Sequence, residues 1–190
     1  MSGVKRGRRS KRRRKSQAPK LLTAALMLLV ALAIYYAWQQ THPSQSSPPS
    51  GEAAPPFTLT DIDGKTFSLE DFRGKIVILD FFFIRCPPCQ EEVSHLTEVF
   101  RRYRGKVMII SISVDLNFDT TQRLQQFRRE HQIEWIIARD TADVAGAYGV
   151  TAVPTLLVID QDGRIRYRHI GLTPSTTLLR EVEALLGEGG

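Results

Sequence analysis

The stretch IVILDFFFIRCPPC, residues 76–89, decides how the rest of this sequence is interpreted. Residues 76–84 form an almost unbroken apolar run, which is typical of a strand buried on both faces of a sheet. The only two cysteines of the chain follow directly, as Cys86-Pro87-Pro88-Cys89, and a proline at position 88 suits the first turn of a helix. The sequence therefore predicts a strand-to-helix junction at the cysteine pair.

A C-x-x-C pair at such a junction places one sulfur at the N-terminal end of the helix. Unpaired backbone N–H groups and the helix dipole stabilise negative charge there. The pKa of a thiol in this position can fall from about 8.5 to roughly 3.5–7.5, so that much of it is thiolate at neutral pH. The motif therefore favours thiol–disulfide exchange.

Other kinds of cysteine pair fit this sequence less well. A four-cysteine zinc site needs more cysteines than the chain has, and no clustered histidines lie nearby to complete one. A purely structural disulfide normally closes a longer loop, because cross-linking stabilises more as the loop grows. A pair of inert buried thiols would not require two prolines between them. The redox interpretation is the one the motif supports.

The basic residues are concentrated at the start of the chain. Ten of the 26 Lys and Arg residues lie in positions 1–20, which contain no acidic residue. Residues 21–190 contain the other 16 basic residues and all 20 acidic residues, so this part of the chain has a formal net charge of −4, although the net charge of the whole chain is +6. The high charge belongs to a tail and does not indicate a nucleic-acid-binding fold.

Leu21–Trp38 is an uncharged run of 18 residues, long enough to span a bilayer as a helix. The aromatic residues at its end resemble a membrane-interface belt, and the basic block before it predicts a cytoplasmic N-terminus with everything after Trp38 outside. A cleaved signal peptide is the alternative, since Ala31-Leu32-Ala33 resembles a cleavage site. The apolar run continues beyond that site, which favours an uncleaved anchor in contact with membrane lipid.

Residues 39–56 are rich in Gln, Ser and Pro and are predicted to be a flexible tether without packing of its own. The folded domain is predicted over residues 57–187, a length that can bury a full core. Strands and helices alternate there, which predicts an α/β sandwich around a central sheet. The predicted strands are 57–60, 66–68, 76–84, 107–114, 134–138, 155–159 and 165–171, and the predicted helices are 88–104, 120–131, 141–148 and 174–186.

Several short segments follow one another in a specific order: Pro56-Phe57-Thr58-Leu59, Gly74-Lys75, the CPPC motif with Glu91-Glu92, Tyr148-Gly149-Val150, Val153-Pro154-Thr155, Ile159-Asp160-Gln161-Asp162-Gly163 and Gly171. On these segments Phe57–Leu186 resembles the thioredoxin-fold redoxins, specifically the membrane-tethered TlpA/ResA-like thiol-disulfide oxidoreductases. The resemblance implies a thioredoxin-like three-layer sandwich with a central mixed β-sheet, preceded by one N-terminal transmembrane helix. It implies no cofactor or metal beyond the two cysteines.

The sequence departs from that family at two positions. Arg85 stands directly before the first cysteine, where the family usually has Trp, and Ser94 stands where Pro is common. Arg85 either lowers the pKa of Cys86 and steers acidic partners or is simply solvated. Both departures bear on substrate choice more than on fold or reaction.

Cys86 is predicted to be the nucleophile and the partly exposed sulfur, and Cys89 the more buried, resolving thiol. Asp80 lies within the apolar strand, where burial should raise its pKa and suit it to accept the Cys89 proton. A hydrogen-bonded structural acid is the alternative for Asp80. The resemblance implies a cis Val153–Pro154 bond across from Cys86, with the Val153 backbone available to a substrate strand. Three histidines (His95, His131 and His169) and two acids (Glu91 and Glu92) receive no role.

The leading functional hypothesis is an extracytoplasmic reductant of cysteines in exported proteins, in cytochrome c maturation or copper-site assembly, supplied with electrons by a membrane partner. A Cu(I)-binding metallochaperone is the alternative, because two thiolates can hold this soft ion. The C-x-x-C spacing is tighter than the C-x-x-x-C usual in such chaperones. A peroxidase is disfavoured, because Phe83 stands three residues before Cys86 where peroxiredoxins have Thr or Ser.

Overall fold

A computed structural model describes Met27, Val30 and residues 51–188. The predicted basic tail (1–20), most of the predicted anchor (21–38) and residues 39–50 of the predicted tether lie outside the described residues. Among the residues that are described, no helix combines the length and the apolar character needed to cross a membrane.

Eight strands and four α-helices follow one another in residues 51–188. The strands are β1 (Glu52–Ala53), β2 (Thr58–Thr60), β3 (Thr66–Ser68), β4 (Ile76–Phe82), β5 (Val107–Ser113), β6 (Ile136–Arg139), β7 (Thr155–Ile159) and β8 (Arg164–Ile170). The helices are α1 (Pro87–Arg102), α2 (Thr121–Glu130), α3 (Val144–Ala147) and α4 (Ser175–Glu188), and a short 3-10 helix covers Leu69–Phe72.

Six strands form one mixed sheet in the order β1-β8-β7-β4-β5-β6. Strands β4, β5 and β6 are parallel, whereas β7 is antiparallel to both β4 and β8. Strands β2 and β3 form a separate hairpin around the turn Asp61–Gly64. The mixed central sheet of the predicted α/β fold is confirmed.

The central strand β4 is buried at all seven positions, as the apolar run predicted. Because side chains alternate across a strand, Ile78, Asp80 and Phe82 face one side of the sheet. Ile78 and Phe82 belong to the core cluster that contains both cysteines and the buried side of α1. Asp80 therefore lies on the same side of the sheet as the cysteine pair.

The strand directions bring several loops to one edge of the sheet. The carboxyl ends of β4, β5 and β8 and the amino end of β7 lie at this edge, because β7 runs opposite to its two neighbours. The loops that meet there are 83–86, 114–120, 151–154 and 171–174. This edge carries both the CPPC motif and Val153–Pro154.

Two predictions about local structure were wrong. The end of the predicted tether is part of the fold: β1 pairs with β8, Gly51 N–H donates to Ile165 O at 2.7 Å, and Ala54 is buried. Two residues are too few for an alternating pattern, so the pairing depends on the exposed edge of β8 rather than on a sequence signal. The folded domain thus begins at about residue 51 rather than 57.

The helix predicted over 141–148 covers only Val144–Ala147. The Asp140 carboxylate accepts hydrogen bonds from Val144 N–H at 2.7 Å and Ala145 N–H at 2.9 Å, and these are the first free donors of the helix. Asp143 adopts a left-handed backbone with φ 53°. The Asp140 side chain therefore caps the helix from four residues before Val144, and the residues between Asp140 and Val144 form a turn.

Candidate active site

The cysteine pair lies at the junction between β4 and α1. Cys86 is the N-cap of the 16-residue helix α1, and its N–H donates to Phe83 O at 3.2 Å. Cys86 and Cys89 form a disulfide, and Cys86 Sγ accepts a hydrogen bond from Cys89 N–H at 3.3 Å. The Cys86 sulfur thus occupies the position of a capping oxygen, at the positive end of the helix dipole.

The predicted difference in exposure between the two cysteines was wrong. Cys86 is 5% exposed and Cys89 is 3% exposed, so both are buried. Half-buried Phe83, Ile84 and Val153 pack against the cluster that contains the two cysteines. What distinguishes the sulfurs is position at the helix end rather than access to solvent.

Asp80 is a buried acid on the cysteine side of the sheet, with 4% of its surface exposed. Ser111 Oγ donates to its carboxylate at 2.7 Å, and Trp135 Nε1 donates in turn to Ser111 Oγ at 2.9 Å. Burial raises the pKa of Asp80 to about 7, and the Ser111 hydrogen bond only partly opposes that rise. The expected burial and raised pKa are confirmed.

Glu92 is a second buried acid, and it was not predicted from the sequence to belong to the site. It is 1% exposed, and one oxygen accepts from Thr173 N–H at 2.9 Å. The other oxygen has no hydrogen-bond partner among the residues that the structure describes. Burial raises its pKa to about 8, and the charge of Asp80 adds to the rise. The two acids are therefore close enough for their charges to interact.

The position of Glu92 on α1 could have revealed it. Residues three or four apart share a helix face, and Cys89, Glu92, Leu96 and Val99 follow that spacing. All four are buried. The helix dipole alone makes acidic residues common in the first turns of helices. The sequence therefore did not distinguish buried Glu92 from exposed Glu91.

The Val153–Pro154 peptide bond is cis, as the resemblance implied. Pro154 O accepts from Gly171 N–H at 2.8 Å, and Thr155 begins β7 opposite Phe81 of β4. In the part of the chain that the structure describes, no residue forms a hydrogen bond with the backbone N–H or C=O of Val153. A backbone donor and acceptor are thus available beside the cysteine cluster.

A family model described as AhpC/TSA family matches residues 50–168 of this chain. The chain belongs to the AhpC/TSA family. Among solved structures, the thioredoxin domain of a thiol-disulfide oxidoreductase from Bacteroides vulgatus superposes with a TM-score of 0.62 at 26% identity, covering 73% of this chain and 98% of that one. A thioredoxin family thiol:disulfide interchange protein from Chlorobium tepidum gives a TM-score of 0.66 at 24% identity, covering 74% and 99%. The thioredoxin-like fold is confirmed.

Curated relatives of this AhpC/TSA family protein carry the name thiol-disulfide oxidoreductase ResA. One from Bacillus thuringiensis is 34% identical over 117 residues, which is 60% of this chain and 66% of the relative. Another, from Bacillus anthracis, is 34% identical over 123 residues, or 64% and 69%. The resemblance to ResA-like proteins is confirmed, and the match spans about two thirds of their length.

Arg85 replaces the Trp usual before the first cysteine, and its side chain has specific partners. Its Nη2 donates to Asp115 at 3.0 Å, and its guanidinium carbon lies 3.9 Å from the centre of the Phe118 ring. The side chain is 60% exposed. The Asp115 carboxylate offsets part of the Arg85 charge, so Arg85 is a paired cation beside the CPPC motif.

Asp119 holds the backbone just ahead of the cysteines, a role that was not predicted from the sequence. Its buried Oδ2 accepts from Ile84 N–H at 3.0 Å and from Ser113 Oγ at 2.6 Å. Gln90 Nε2 donates to Ile84 O at 2.7 Å. An acid directly before a predicted helix resembles an ordinary capping residue, so the sequence offered no signal for this contact.

Proposed function

We propose that this AhpC/TSA family protein is a thiol–disulfide oxidoreductase whose Cys86–Cys89 pair exchanges electrons with cysteines of other proteins. The observation that carries the proposal is the Cys86 sulfur at the N-terminus of α1, accepting the Cys89 N–H, with the buried acids Asp80 and Glu92 on the same side of the sheet. The ResA name of its relatives and the thiol-disulfide oxidoreductase title of the Bacteroides vulgatus structure support it.

The reaction in the reducing direction has two steps. The Cys86 thiolate attacks one sulfur of a substrate disulfide, which forms a Cys86–substrate disulfide and releases the other substrate sulfur as thiolate. The Cys89 thiolate then attacks Cys86, which restores the Cys86–Cys89 disulfide and releases the second substrate sulfur. Two electrons pass from the protein to the substrate, and two cysteines of the substrate are reduced.

The second step requires Cys89 to lose its proton in a buried place. Glu92 lies one helical turn from Cys89 on the buried face of α1, and the charge of Asp80 acts on Glu92. Carboxyl groups with a pKa of about 7 and about 8 are matched to accept a thiol proton near neutral pH. We assign proton acceptance to this pair of acids, with Asp80 in the role predicted from the sequence.

In this proposal, Val153 and Pro154 bind the substrate. The N–H and C=O of Val153, which have no partner among the described residues, can pair with the backbone of an extended substrate segment, as an added strand pairs with a sheet edge. Pro154 offers no N–H of its own to a ligand. Arg85 lies on the opposite side of the CPPC motif, beside Asp115 and Phe118, where it contacts the partner's surface in the docked complex.

This function is tested by turnover with a disulfide-bonded model protein such as insulin and dithiothreitol as electron source. The wild type is expected to accelerate reduction, and Cys86→Ser is expected to lose that acceleration because no attacking thiolate remains. Glu98→Gln, which changes an exposed residue of α1 away from the motif, serves as the matched control and should keep the wild-type rate. Equal rates for the wild type and Cys86→Ser would contradict the proposal.

We further propose that the protein is a single-pass membrane protein whose domain lies outside the cytoplasm, where it reduces cysteines of exported proteins for cytochrome c maturation or copper-site assembly. The basic-then-apolar order of residues 1–38 supports this topology. Electrons then have to come from a membrane donor, because the substrate-reducing step leaves Cys86 and Cys89 oxidised. The N-terminal anchor contacts membrane lipid, and nucleic acid is not expected as a partner.

Protease added to intact spheroplasts is expected to digest residues 51–188 while leaving a cytoplasmic marker protein intact. The reason is that the positive block at residues 5–20 retains the N-terminus inside. Immunoblotting with an antibody against the domain measures the digestion. A domain that is protected until the membrane is permeabilised would contradict this topology.

A further inference from the structure

Two consecutive hydrogen bonds lead from an indole ring to the buried acid Asp80. Trp135 Nε1 donates to Ser111 Oγ at 2.9 Å, and Ser111 Oγ donates to Asp80 Oδ2 at 2.7 Å. All three residues are buried, so solvent has little access to these bonds. The three side chains thus form a connected polar triad on the cysteine side of the sheet.

The direction of the two bonds is set by the chemistry of the indole group. An indole nitrogen only donates, so Trp135 occupies a lone pair of Ser111 Oγ and leaves the hydroxyl proton for another partner. Asp80 Oδ2 is the acceptor that the described residues provide for that proton. A buried hydroxyl without an acceptor is costly, so Oδ2 is held as an acceptor whether Asp80 is charged or neutral.

The surrounding fold holds the members of the triad in place. Ser111 lies opposite Asp80 in the parallel ladder between β4 and β5. The Trp135 ring packs against Phe100 of α1, with the ring centres 5.6 Å apart. Strand register and ring packing therefore set both hydrogen bonds, and no flexible surface side chain takes part.

Other titratable groups share this side of the sheet with Asp80. They lie on α1, β8 and α4: Cys86, Cys89, Glu92, His169 and Glu181. Leu156 of β7 separates Asp80 from His169, and His169 is paired with Glu181 at 2.9 Å. Helix α2 buries Leu124 and Phe127 in the same cluster, and neither titrates. The hydrogen-bond donor that the structure gives to the Asp80 carboxylate is Ser111.

We infer that Ser111 and Trp135 are positioning residues for Asp80. Their hydrogen bonds keep Oδ2 an acceptor and leave Oδ1 as the atom that takes the Cys89 proton. The inference rests on the proposed thiol–disulfide exchange and adds to it the residues that set when Asp80 can act. A donor to the carboxylate favours its charged form, so Ser111 opposes the effect of burial on the pKa of Asp80. Asp80 therefore remains able to accept a proton near neutral pH.

Titration of Asp80 in the oxidised full-length protein, followed by the carbon-13 shift of its labelled carboxyl group, measures this effect. Ser111→Ala removes the donor and should move the midpoint upward by about one to two pH units. Trp135→Phe keeps a ring in place without the N–H, and should move the midpoint upward by less, because the Ser111 hydroxyl is then less polarised. If Ser111 instead accepted the Asp80 proton, Ser111→Ala would move the midpoint downward, which would overturn the inference.

Two further variants separate the hydroxyl group from the packing. Ser111→Thr retains a hydroxyl on a strand, where β-branched residues are favourable, and should keep the midpoint close to that of the wild type. Ile109→Val removes one buried methyl group two residues earlier on the same face of β5, and should leave the midpoint unchanged. A midpoint that moves as far in either of these variants as in Ser111→Ala would overturn the inference, since loss of the hydroxyl would then not be the cause.

Reaction of the reduced protein with the symmetric disulfide of a coloured aromatic thiol tests the same residues during exchange. Attack by Cys86 releases one coloured thiolate and leaves the other half of the reagent on Cys86. Attack by Cys89 then releases the second thiolate and forms the Cys86–Cys89 disulfide, while Asp80 takes the Cys89 proton. The rate of this second release does not depend on reagent concentration. Ser111→Ala should slow it about three- to tenfold at pH 6 and leave the first release within about twofold.

The outcomes separate the positioning role from the chemistry. An unmoved Asp80 midpoint in Ser111→Ala, with both releases at wild-type rates, would overturn the inference and leave the proposed function intact. A midpoint that moves without slowing the second release would also overturn it, because the Cys89 proton would then go elsewhere. A wild type that releases neither thiolate would refute the proposed function and, with it, the role of Ser111 and Trp135 in the reaction.

Discussion

Replacing Cys89 by Ser is expected to trap covalent mixed disulfides between Cys86 and partner proteins, whereas Cys86→Ser should trap few. In Cys89→Ser the attack on a partner proceeds, but no second thiol remains to release it. In Cys86→Ser the remaining thiol lies inside the first turn of α1 and lacks the capping position in which the sulfur accepts a backbone N–H. Non-reducing electrophoresis of cells, with mass spectrometry of the adducts, measures the difference.

The difference in trapped adduct between the two variants comes from the position of Cys86 at the end of the helix, because the two cysteines are almost equally buried. A thiol whose pKa is brought close to ambient pH gains more in thiolate fraction than it loses in nucleophilicity. We expect roughly three- to tenfold more adduct with Cys89→Ser than with Cys86→Ser, and faster alkylation of Cys86 than of Cys89 in the reduced protein below about pH 8. Equal trapping by both variants would refute the assignment of roles but not the redox function.

The fold and the centre of the site could be predicted from the sequence because their signals are local. The apolar run 76–84 is buried strand and loop, Cys86 begins a helix, and one acid within that run, Asp80, has to be buried with a raised pKa. Each of these follows from neighbouring residues in the chain. The Asp160–Gly163 hairpin turn was predictable for the same reason.

What the sequence did not reveal depends on residues far apart in the chain. Glu92 is buried because the loop before α4 covers it and supplies the Thr173 N–H, 81 residues away. Asp119 reaches Ile84 across 35 residues, and β1 exists only because the edge of β8 accepts it. Sequence periodicity reports which face of an element is apolar, and it does not report which polar group a distant loop will satisfy.

The stability of the disulfide-bonded protein is expected to fall as pH rises from about 4 to about 9, in large part because of Asp80 and Glu92. The pKa of Asp80 is raised from 3.8 to about 7 and that of Glu92 from 4.5 to about 8, with burial as the main cause. The native state therefore binds more protons than the unfolded state in this range, and stability decreases with pH. The contribution of the protonated acids is complete below about pH 4 and is lost as pH rises through 7 and 8.

Asp80→Asn should remove much of this pH dependence. Each unit of pKa shift corresponds to about 1.4 kcal/mol, so the variant is expected to be about 2–4 kcal/mol more stable than the wild type near pH 9 and similar to it near pH 4. Asparagine is uncharged at both pH values and its oxygen can still accept the Ser111 hydroxyl. Urea unfolding of the oxidised protein at a series of pH values measures the free energy of unfolding.

Neighbouring acids on α1 provide the matched control for this experiment. Glu92→Gln removes a buried carboxyl and should flatten the stability curve in the same direction as Asp80→Asn. Glu91→Gln removes an exposed carboxyl one position away and should leave the curve parallel to that of the wild type. The effects of Asp80→Asn and Glu92→Gln should not add fully, because the charge of Asp80 contributes to the raised pKa of Glu92. If the stability curves of Asp80→Asn and Glu92→Gln both run parallel to that of the wild type, these carboxyls do not hold protons at neutral pH. They then cannot exchange protons with Cys89 as proposed.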